Sequence, residues 1–249
     1  MKTQKPDFNK SQIRHIEHVK NYLAKAVQQY KMIEDGDKVL VALSGGKDSL
    51  VLVDALSSYQ KYSPIQFQME ALHINITDVP YAVDKDFLDG FCNQLGVPVH
   101  YIDLEAGLEN RGKKAPCFVC SWHRRKALFT FAKSNCFNKL ALGHHMDDAV
   151  ETLVINMAYH ANISSLPGKL SMFNGALELI RPLILLTDSD TKAFAKIKAY
   201  QPLKSSCPHE DLTRRTTARN LIKSMQVLHP KAKTNLFNSM NNIDHEYLA

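Results

Sequence analysis

Six consecutive residues between an apolar strand and a helix could bind the phosphates of a nucleotide. The string is Ser44-Gly45-Gly46-Lys47-Asp48-Ser49, and the β-branched run at 39–43 before it is typical of a buried parallel strand. Glycines let backbone N–H groups approach an oxyanion, and the dipole of the following helix favours negative charge there. The serines and the lysine add donors. The aspartate would repel a bare phosphate, so it predicts a bound cation.

Neither of the two commonest phosphate-binding motifs fits this string. A Walker A loop would place glycine at position 41 and serine or threonine directly after the lysine, but the chain has Val41 and Asp48. The G-x-G-x-x-G pattern does not match the string either. The string resembles the PP-loop of the ATP pyrophosphatase superfamily, whose members cleave ATP between the α and β phosphates. This resemblance implies that residues 44–49 bind ATP.

Three cysteines form a second group that could bind a metal. Cys117 and Cys120 precede a predicted helix, and Cys207 stands far downstream. A C-x-x-C pair brings two thiolates within reach of one metal ion, and arginines or a helix N-terminus lower the pKa of such thiols. A haem attachment is excluded because Ser121 follows the pair, and a thioredoxin-like motif would occupy the first strand–helix turn. Zinc, with a histidine as fourth ligand, and an iron–sulfur cluster are both compatible with the three cysteines.

The rest of the chain predicts a doubly wound α/β fold that would position these residues. Apolar strands alternate with amphipathic helices, which is typical of a parallel sheet with helices on both faces. Ligands then bind at the carboxyl ends of the strands, where residues 44–49, 73–75 and 143–145 would meet. The predicted strands are 39–43, 69–76, 97–104, 139–142 and 177–183, and the predicted helices are 11–33, 49–59, 84–95, 121–133, 147–160, 187–200, 213–228 and 232–243.

Composition limits the class of protein. The chain of 249 residues can bury a full core, and no apolar run reaches the roughly 18 residues of a membrane span. The polar N-terminus does not have the pattern of a signal peptide, so a cytoplasmic location and reduced cysteines are expected. The net charge of +6 is concentrated at 1–31, 105–126 and 204–233. Such basic segments favour a polyanionic partner, although solvated helix faces would give the same pattern.

Taken together, the PP-loop and the cysteines resemble the tRNA 2-thiocytidine synthetases, a cluster-dependent thiolation branch of the PP-loop ATPases. The resemblance implies that Cys117, Cys120 and Cys207 hold a [4Fe–4S] cluster whose fourth iron has no protein ligand. Many members have a second C-x-x-C at the late cysteine, but Glu210 stands at the matching position here. Zinc-finger cysteines at both chain ends mark the 2-thiouridine branch, and this chain does not carry them. Further matching strings are Arg124-Arg125, Leu142-Gly143-His144-His145-x-Asp147-Asp148, Glu151-Thr152-Leu153, Leu166-Pro167-Gly168-Lys169-Leu170 and Ile180-Arg181-Pro182-Leu183.

The resemblance also implies a reaction and roles for individual residues. ATP would adenylate the C2 carbonyl of a pyrimidine, expected to be cytidine 32 of the tRNA anticodon loop, and sulfur would then displace AMP. Lys47, Asp48 and the three cysteines would be catalytic, and Asp48 would bind Mg²⁺. The expected ATP-binding residues are Leu43, Ser44, Gly45, Gly46, Lys47, Asp48, Ser49, His73, Ile74, Arg124, Gly143 and Asp148.

Three segments are expected along the chain: an N-terminal basic helix at 1–33, a PP-loop ATPase domain at 34–203, and a C-terminal helical segment at 204–249 with the third cluster cysteine. The first helix and the arginines near 214–223 would contact the tRNA backbone. A cysteine desulfurase persulfide or sulfide is the expected sulfur donor, and a homodimer is a further expectation. Trp122 is expected in the core, and Cys92 and Cys136 are expected to be buried structural thiols.

Two rival functions follow from the same residues. The first is another PP-loop enzyme, either a different tRNA thiolase or an amide-forming ligase of the lysidine-synthetase type, and the ligase would leave the three cysteines unexplained. The second is a metal-bearing RNA-binding protein with an inactive ATP site, against which the intact string at 44–49 argues. Metal content and pyrophosphate release distinguish these alternatives.

Overall fold

A mixed sheet forms the centre of the protein. The computed structural model describes residues 8–79, 84–108, 116–202 and 214–247. Its strands are β1 (Lys38–Ala42), β2 (Gln68–Ile76), β3 (Val99–Leu104), β4 (Lys139–Ala141), β5 (Lys169–Met172) and β6 (Leu177–Ile180). In space they follow the order β3-β2-β1-β4-β6-β5, and within this described sheet only β5 runs antiparallel to its neighbour.

Helices cover both faces of this sheet. They are α1 (Lys10–Gln29), α2 (Lys47–Tyr62), α3 (Lys85–Leu95), α4 (Pro116–Ser134), α5 (Met146–His160), α6 (Asp188–Ile197), α7 (Arg214–Leu228) and α8 (Ala232–Ser239). Side chains alternate along each strand, so Val39 and Val41 pack towards α1 and α2, whereas Leu40 packs in a second cluster with residues of α4. The predicted doubly wound α/β class is therefore confirmed.

Most predicted elements are present, with two informative differences. Strand β5 was not predicted, because a short and mostly exposed edge strand carries no clear apolar run. Helix α4 was expected to begin after Cys120 but begins at Pro116, a residue type that is favoured in the first turn of a helix. Cys117 and Cys120 therefore lie inside the helix and not in the loop before it.

Helix α1 is packed into the same core as β1 and α2. Asn9 caps it, since its side chain accepts from the Gln12 N–H at 3.0 Å and the Gln12 side chain accepts from the Asn9 N–H at 2.9 Å. The apolar face of α1 is fully or nearly buried against α2 and α6. Its members are Ile16, Val19, Leu23, Ala26 and Val27.

Three sequence predictions about burial have different outcomes. Cys92 is fully buried as expected, and burial raises the pKa of its thiol to about 11. Cys136 is exposed, contrary to expectation, and lies in the turn after α4, where its φ is 58°. Trp122 is also exposed on α4, so the expectation of a core position was wrong.

None of the described helices is both long and apolar enough to cross a bilayer.

Candidate active site at the carboxyl edge of the sheet

The loop at 44–49 joins β1 to α2 at the carboxyl edge of the sheet. Gly45 adopts φ 82°, a conformation that glycine reaches without steric cost, and Gly46 is the N-cap of α2. Gly46 has no side chain that could cap the helix, so the first N–H groups of α2 are directed towards this edge. The Ser44 hydroxyl donates to Ser49 Oγ at 3.2 Å, and Ser49 Oγ donates to the Gly46 carbonyl at 2.8 Å. The two serines thus hold the loop closed on the helix.

Lys47 and Asp48 form the charged centre of the site. Lys47 Nζ donates to both oxygens of Asp48 at 2.7 and 2.9 Å and lies 2.7 Å from Asp188 Oδ1. Burial opposes protonation of this lysine, but the two carboxylates outweigh burial and raise its pKa. The Thr191 hydroxyl donates to Asp48 Oδ1 at 2.6 Å. The aspartate that was expected to bind Mg²⁺ is therefore fixed in orientation by two partners.

Sequence reasoning missed Asp188 and Thr191 as members of this site. The sequence predicts Thr187 as the start of a capping box for α6, and the structure confirms that its side chain accepts from the Asp190 N–H. The same first turn directs Asp188 at Lys47 and the fully buried Thr191 at Asp48. No local signal identifies these contacts, because they join residues more than 140 positions apart in the chain.

Helix α5 adds a histidine and two acids to the same edge. His145 Nε2 lies 3.8 Å from Asp48 Oδ1 and 3.8 Å from Asp188 Oδ1. Its backbone N–H donates to Asp148 Oδ2 at 3.1 Å, so Asp148 caps α5 while its other oxygen accepts from Arg215 of α7 at 3.2 Å. Asp147 accepts from the Asp188 N–H at 3.0 Å. Asp148 therefore caps the start of α5, and Asp147 accepts a hydrogen bond at the start of α6. Through the bond from the His145 N–H, Asp148 is also linked to the site.

Two further histidines near the edge, the fully buried His73 and the half-buried His144, have lowered pKa values. His73 Nδ1 donates to the Leu43 carbonyl at 2.8 Å, and burial, with the charge of Arg124 among the further causes, lowers its pKa. Its Nε2 is buried and has no hydrogen-bond partner among the described residues. Burial likewise lowers the pKa of His144 to about 4. Ile74 alternates with His73 and packs towards α4, on the opposite face of β2.

The predicted cysteine ligands are only partly described. Cys117 is exposed and Cys120 is half-buried, one turn apart in the first part of α4. Arg124 follows one turn later and is half-buried, close enough to His73 for its charge to lower the histidine pKa. Cys207 lies outside the described residues. Among the described residues, no group of three or more His, Cys, Asp or Glu side chains could hold a metal ion.

Gly143 lies directly against the PP-loop helix. A Cβ atom at this position would be 3.2 Å from the carbonyl carbon and oxygen of Asp48 and from the Ser49 nitrogen. These are backbone atoms of the first turn of α2, so they cannot rotate aside. The glycine therefore permits the close contact between the turn after β4 and the PP-loop.

Replacing Gly143 with alanine is expected to displace the first turn of α2. We expect the change to lower the free energy of unfolding by about 1–3 kcal/mol, as overpacking does, and to raise the KM for ATP. Gly90→Ala is the matched control, because Gly90 lies in the helix α3 and a Cβ atom there would have no heavy atom within 4 Å. That change should stabilise the protein by roughly 0.5–1 kcal/mol. Urea unfolding and ATP titration would measure both variants, and equal results for the two would contradict the packing argument.

Comparison with known proteins identifies the family of the chain. The PP-loop domain family matches residues 15–225. The tRNA-cytidine(32) 2-sulfurtransferase of Pseudomonas putida is 34% identical over 230 residues, covering 90% of this chain and 83% of that protein. The tRNA-cytidine(32) 2-sulfurtransferase 1 of Francisella tularensis is 33% identical over 225 residues, covering 88% and 84%.

A solved structure shares the fold. The U34-tRNA thiolase NcsA from Methanococcus maripaludis, solved with its [4Fe-4S] cluster, superposes with a TM-score of 0.78 at 23% identity. The match covers 96% of this chain and 81% of that one.

The sheet edge and the loop at 44–49 define a nucleotide-binding protein of the PP-loop type. The chain belongs to the PP-loop family and, within it, to the family of the tRNA-cytidine(32) 2-sulfurtransferases. The resemblance inferred from the sequence is thereby confirmed, and the protein is an enzyme.

Proposed function

We propose that this enzyme thiolates C2 of a cytidine in tRNA, at position 32 of the anticodon loop, and consumes ATP. The observation that carries the proposal is the placement of the Lys47–Asp48 centre and the cysteine-bearing helix α4 at one region of the sheet. Arg124, one turn after Cys120, is near enough to His73 of β2, which lies level with the end of β1, to contribute to lowering its pKa. His73 also bonds to Leu43, directly before the PP-loop. The Lys47–Asp48 centre and the cysteine-bearing helix α4 thus both lie near the end of β1.

In the first step, the C2 carbonyl oxygen attacks the α phosphate of ATP, and pyrophosphate leaves. The N–H groups at the start of α2, with Ser44, Lys47 and Ser49, would bind the phosphates. Lys47 would exchange its carboxylate partners for phosphate oxygens, and Asp48 would bind the Mg²⁺ that offsets the charge on the leaving pyrophosphate. Because His73 is fully buried, it would act on the nucleotide site by holding the Leu43 carbonyl in place and not by direct contact.

In the second step, hydrosulfide attacks C2 of the adenylated base, AMP leaves as the carbon–oxygen bond breaks, and the S–H proton is released. Adenylation matters because it converts a poor leaving oxygen into a phosphate ester that departs readily. Arg124 would stabilise the AMP phosphate. Gly143 keeps the turn after β4 close to the loop at 44–49, and Asp148 would orient the nucleotide through His145.

The residues present fit an iron–sulfur cluster. Cys117 and Cys120 supply two cysteine side chains one turn apart in the first part of α4, a spacing that lets both bind one cluster. A third ligand must come from outside the described residues, and Cys207 in the segment 203–213 supplies the required residue type. When bound, such a cluster with three protein ligands would offer one iron as the carrier of sulfur.

Several partners belong to the same proposal. The tRNA backbone would meet the exposed cations Lys10, Arg14 and Lys25 of α1, and Lys223 of α7. Arg215 and Arg219 are engaged with acids of α5, so they serve the fold as well as any RNA contact. Sulfide would donate the sulfur, either directly or released from a persulfide while two thiols are oxidised to a disulfide. The enzyme would act in the cytoplasm, and a homodimer would form.

Anaerobic purification followed by iron and sulfide analysis tests this proposal. We expect about four irons per chain, and we expect Cys117→Ala, Cys120→Ala and Cys207→Ala to lose iron and to stop formation of 2-thiocytidine from tRNA, ATP and sulfide. Cys136→Ala is the matched control, because this exposed cysteine lies at the other end of α4 and should retain both iron and activity. Bound zinc without iron, or pyrophosphate release without thiolated tRNA, would favour an amide-forming ligase and refute the proposal.

A further inference from the structure

The first part of α4 presents aromatic rings to solvent. Phe118 is 58% exposed and Trp122 is 48% exposed. Residues four apart on a helix lie on one side of it, with Cβ atoms about 5–6 Å apart. Lys126 continues the same side by one turn and places its Nζ 5.3 Å from the centre of the Trp122 ring. These three side chains, called the α4 face below, form one exposed strip.

The charge around the α4 face has a single sign. Helix α4 contains four Lys and Arg residues and no Asp or Glu. Two of the cations, Arg125 and Lys126, are exposed beside Trp122. Exposed rings beside cations are complementary to single-stranded RNA, because bases stack on the rings and phosphates pair with the cations. An apolar protein surface would not be complementary to these charges.

The Trp122 ring is already oriented in the absence of a partner. Lys126 lies over it, and the His123 ring contacts it edge-on at a centroid distance of 4.8 Å. A ring that is held in place loses little conformational freedom when a base stacks on it, so more of the stacking free energy appears as affinity. Cys117 is exposed directly before Phe118, at the start of the same helix. A base on the α4 face would therefore lie within about two helical turns, roughly 11 Å, of the first predicted cluster ligand.

We infer that the α4 face stacks an unpaired base of the RNA substrate beside the cysteine pair. This inference rests on the proposed function and specifies where the substrate loop binds. Stacking holds the loop open next to the cysteines, while the cations of α4 bind its backbone without regard to sequence. The face favours unpaired RNA, because a base inside a duplex must first lose its pairing and stacking with its neighbours before it can stack on a protein ring.

The test measures binding of a fluorescein-labelled anticodon stem-loop, and of an RNA duplex of equal length, to the cluster-loaded enzyme. We expect Trp122→Ala to weaken stem-loop binding by about 5- to 150-fold, the range for loss of one base–aromatic stack, and to leave duplex binding unchanged. Trp122→Phe should retain most of the affinity, and Trp122→Leu should lose it as alanine does. Since Trp122 is the only tryptophan of the chain, its emission in the wild type should fall as the stem-loop binds.

Tyr62→Ala is the matched control. Tyr62 is 85% exposed at the far end of α2, roughly 20 Å from the PP-loop, and should have wild-type affinity. Wild-type affinity in Trp122→Ala, or retention of affinity in Trp122→Leu, would overturn the inference, and the second outcome would indicate an apolar protein-docking surface. Thiolation and pyrophosphate release are measured in parallel. Binding through Trp122 without thiolation would refute the proposed function alone, whereas thiolation that is insensitive to Trp122 would refute the stacking inference alone.

Discussion

Replacing Asp48 with asparagine is expected to slow pyrophosphate release by about 100-fold or more while the protein stays folded. Asparagine keeps the size of the side chain and can still accept a hydrogen bond from Thr191. It removes the negative charge that would bind Mg²⁺ and that now pairs with Lys47 at 2.7 Å. The loss should therefore fall mainly on the chemical step, in which charge builds up on the leaving pyrophosphate.

Initial rates of pyrophosphate release across a range of Mg²⁺ concentrations would measure this effect. Asp103→Asn is the control, since Asp103 is an exposed acid of β3 that bonds to Asn75 at 2.8 Å, and its variant should match the wild type. Thermal unfolding of both variants within a few degrees of the wild type would show that the fold is retained. A wild-type rate for Asp48→Asn at saturating Mg²⁺ would contradict the assignment of Asp48 to the metal.

The parts of the site that the sequence predicts well are those that depend on neighbouring residues. The loop at 44–49, its flanking strand and its helix form one continuous stretch, and glycines with a lysine and an aspartate are informative in that context. The parallel sheet follows from alternation of apolar strands and helices, which short windows of sequence reveal. The carboxyl-edge position of the site then follows from topology alone.

The remaining features depend on contacts between distant segments, so no local pattern reveals them. Asp188 and Thr191 look like the first turn of an ordinary capped helix until the fold brings that turn to Lys47. A core position is the natural expectation for Trp122 because large aromatic residues are mostly buried, yet its helix turns that position outward beside Lys126. Arg219 illustrates the same limit, because the arginines of α7 suggest an RNA-binding face and the structure pairs Arg219 with Glu151.

Removing the Arg219 side chain is expected to destabilise the protein by about 2–4 kcal/mol. Arg219 Nε donates to Glu151 Oε1 at 2.7 Å, and the Glu151 side chain is only 3% exposed. Hydrogen bonding to this carboxylate raises the pKa of Arg219, so the arginine stays charged. Arg219→Ala would leave the charge of a buried carboxylate without this partner, which costs several kcal/mol in protein interiors. We expect a loss of stability at the lower end of this cost, because the Arg219 side chain is itself more than half exposed.

A second substitution separates the cost of an unpaired charge from the loss of packing. If the unpaired carboxylate is the cause, the double variant Arg219→Ala with Glu151→Gln should recover part of the stability that the single variant loses. Lys85→Ala is the control for an exposed ion pair, because Lys85 and Asp103 are both about half exposed, and it should change stability by less than about 1 kcal/mol. Urea unfolding at neutral pH would measure all three variants.

The buried residues Ala218 and Ile222 keep an apolar contact between α7 and the rest of the protein in each variant, so the helix should remain docked in the folded state. A double variant no more stable than Arg219→Ala would show that the loss of stability comes from lost packing between α7 and α5 and not from the isolated carboxylate.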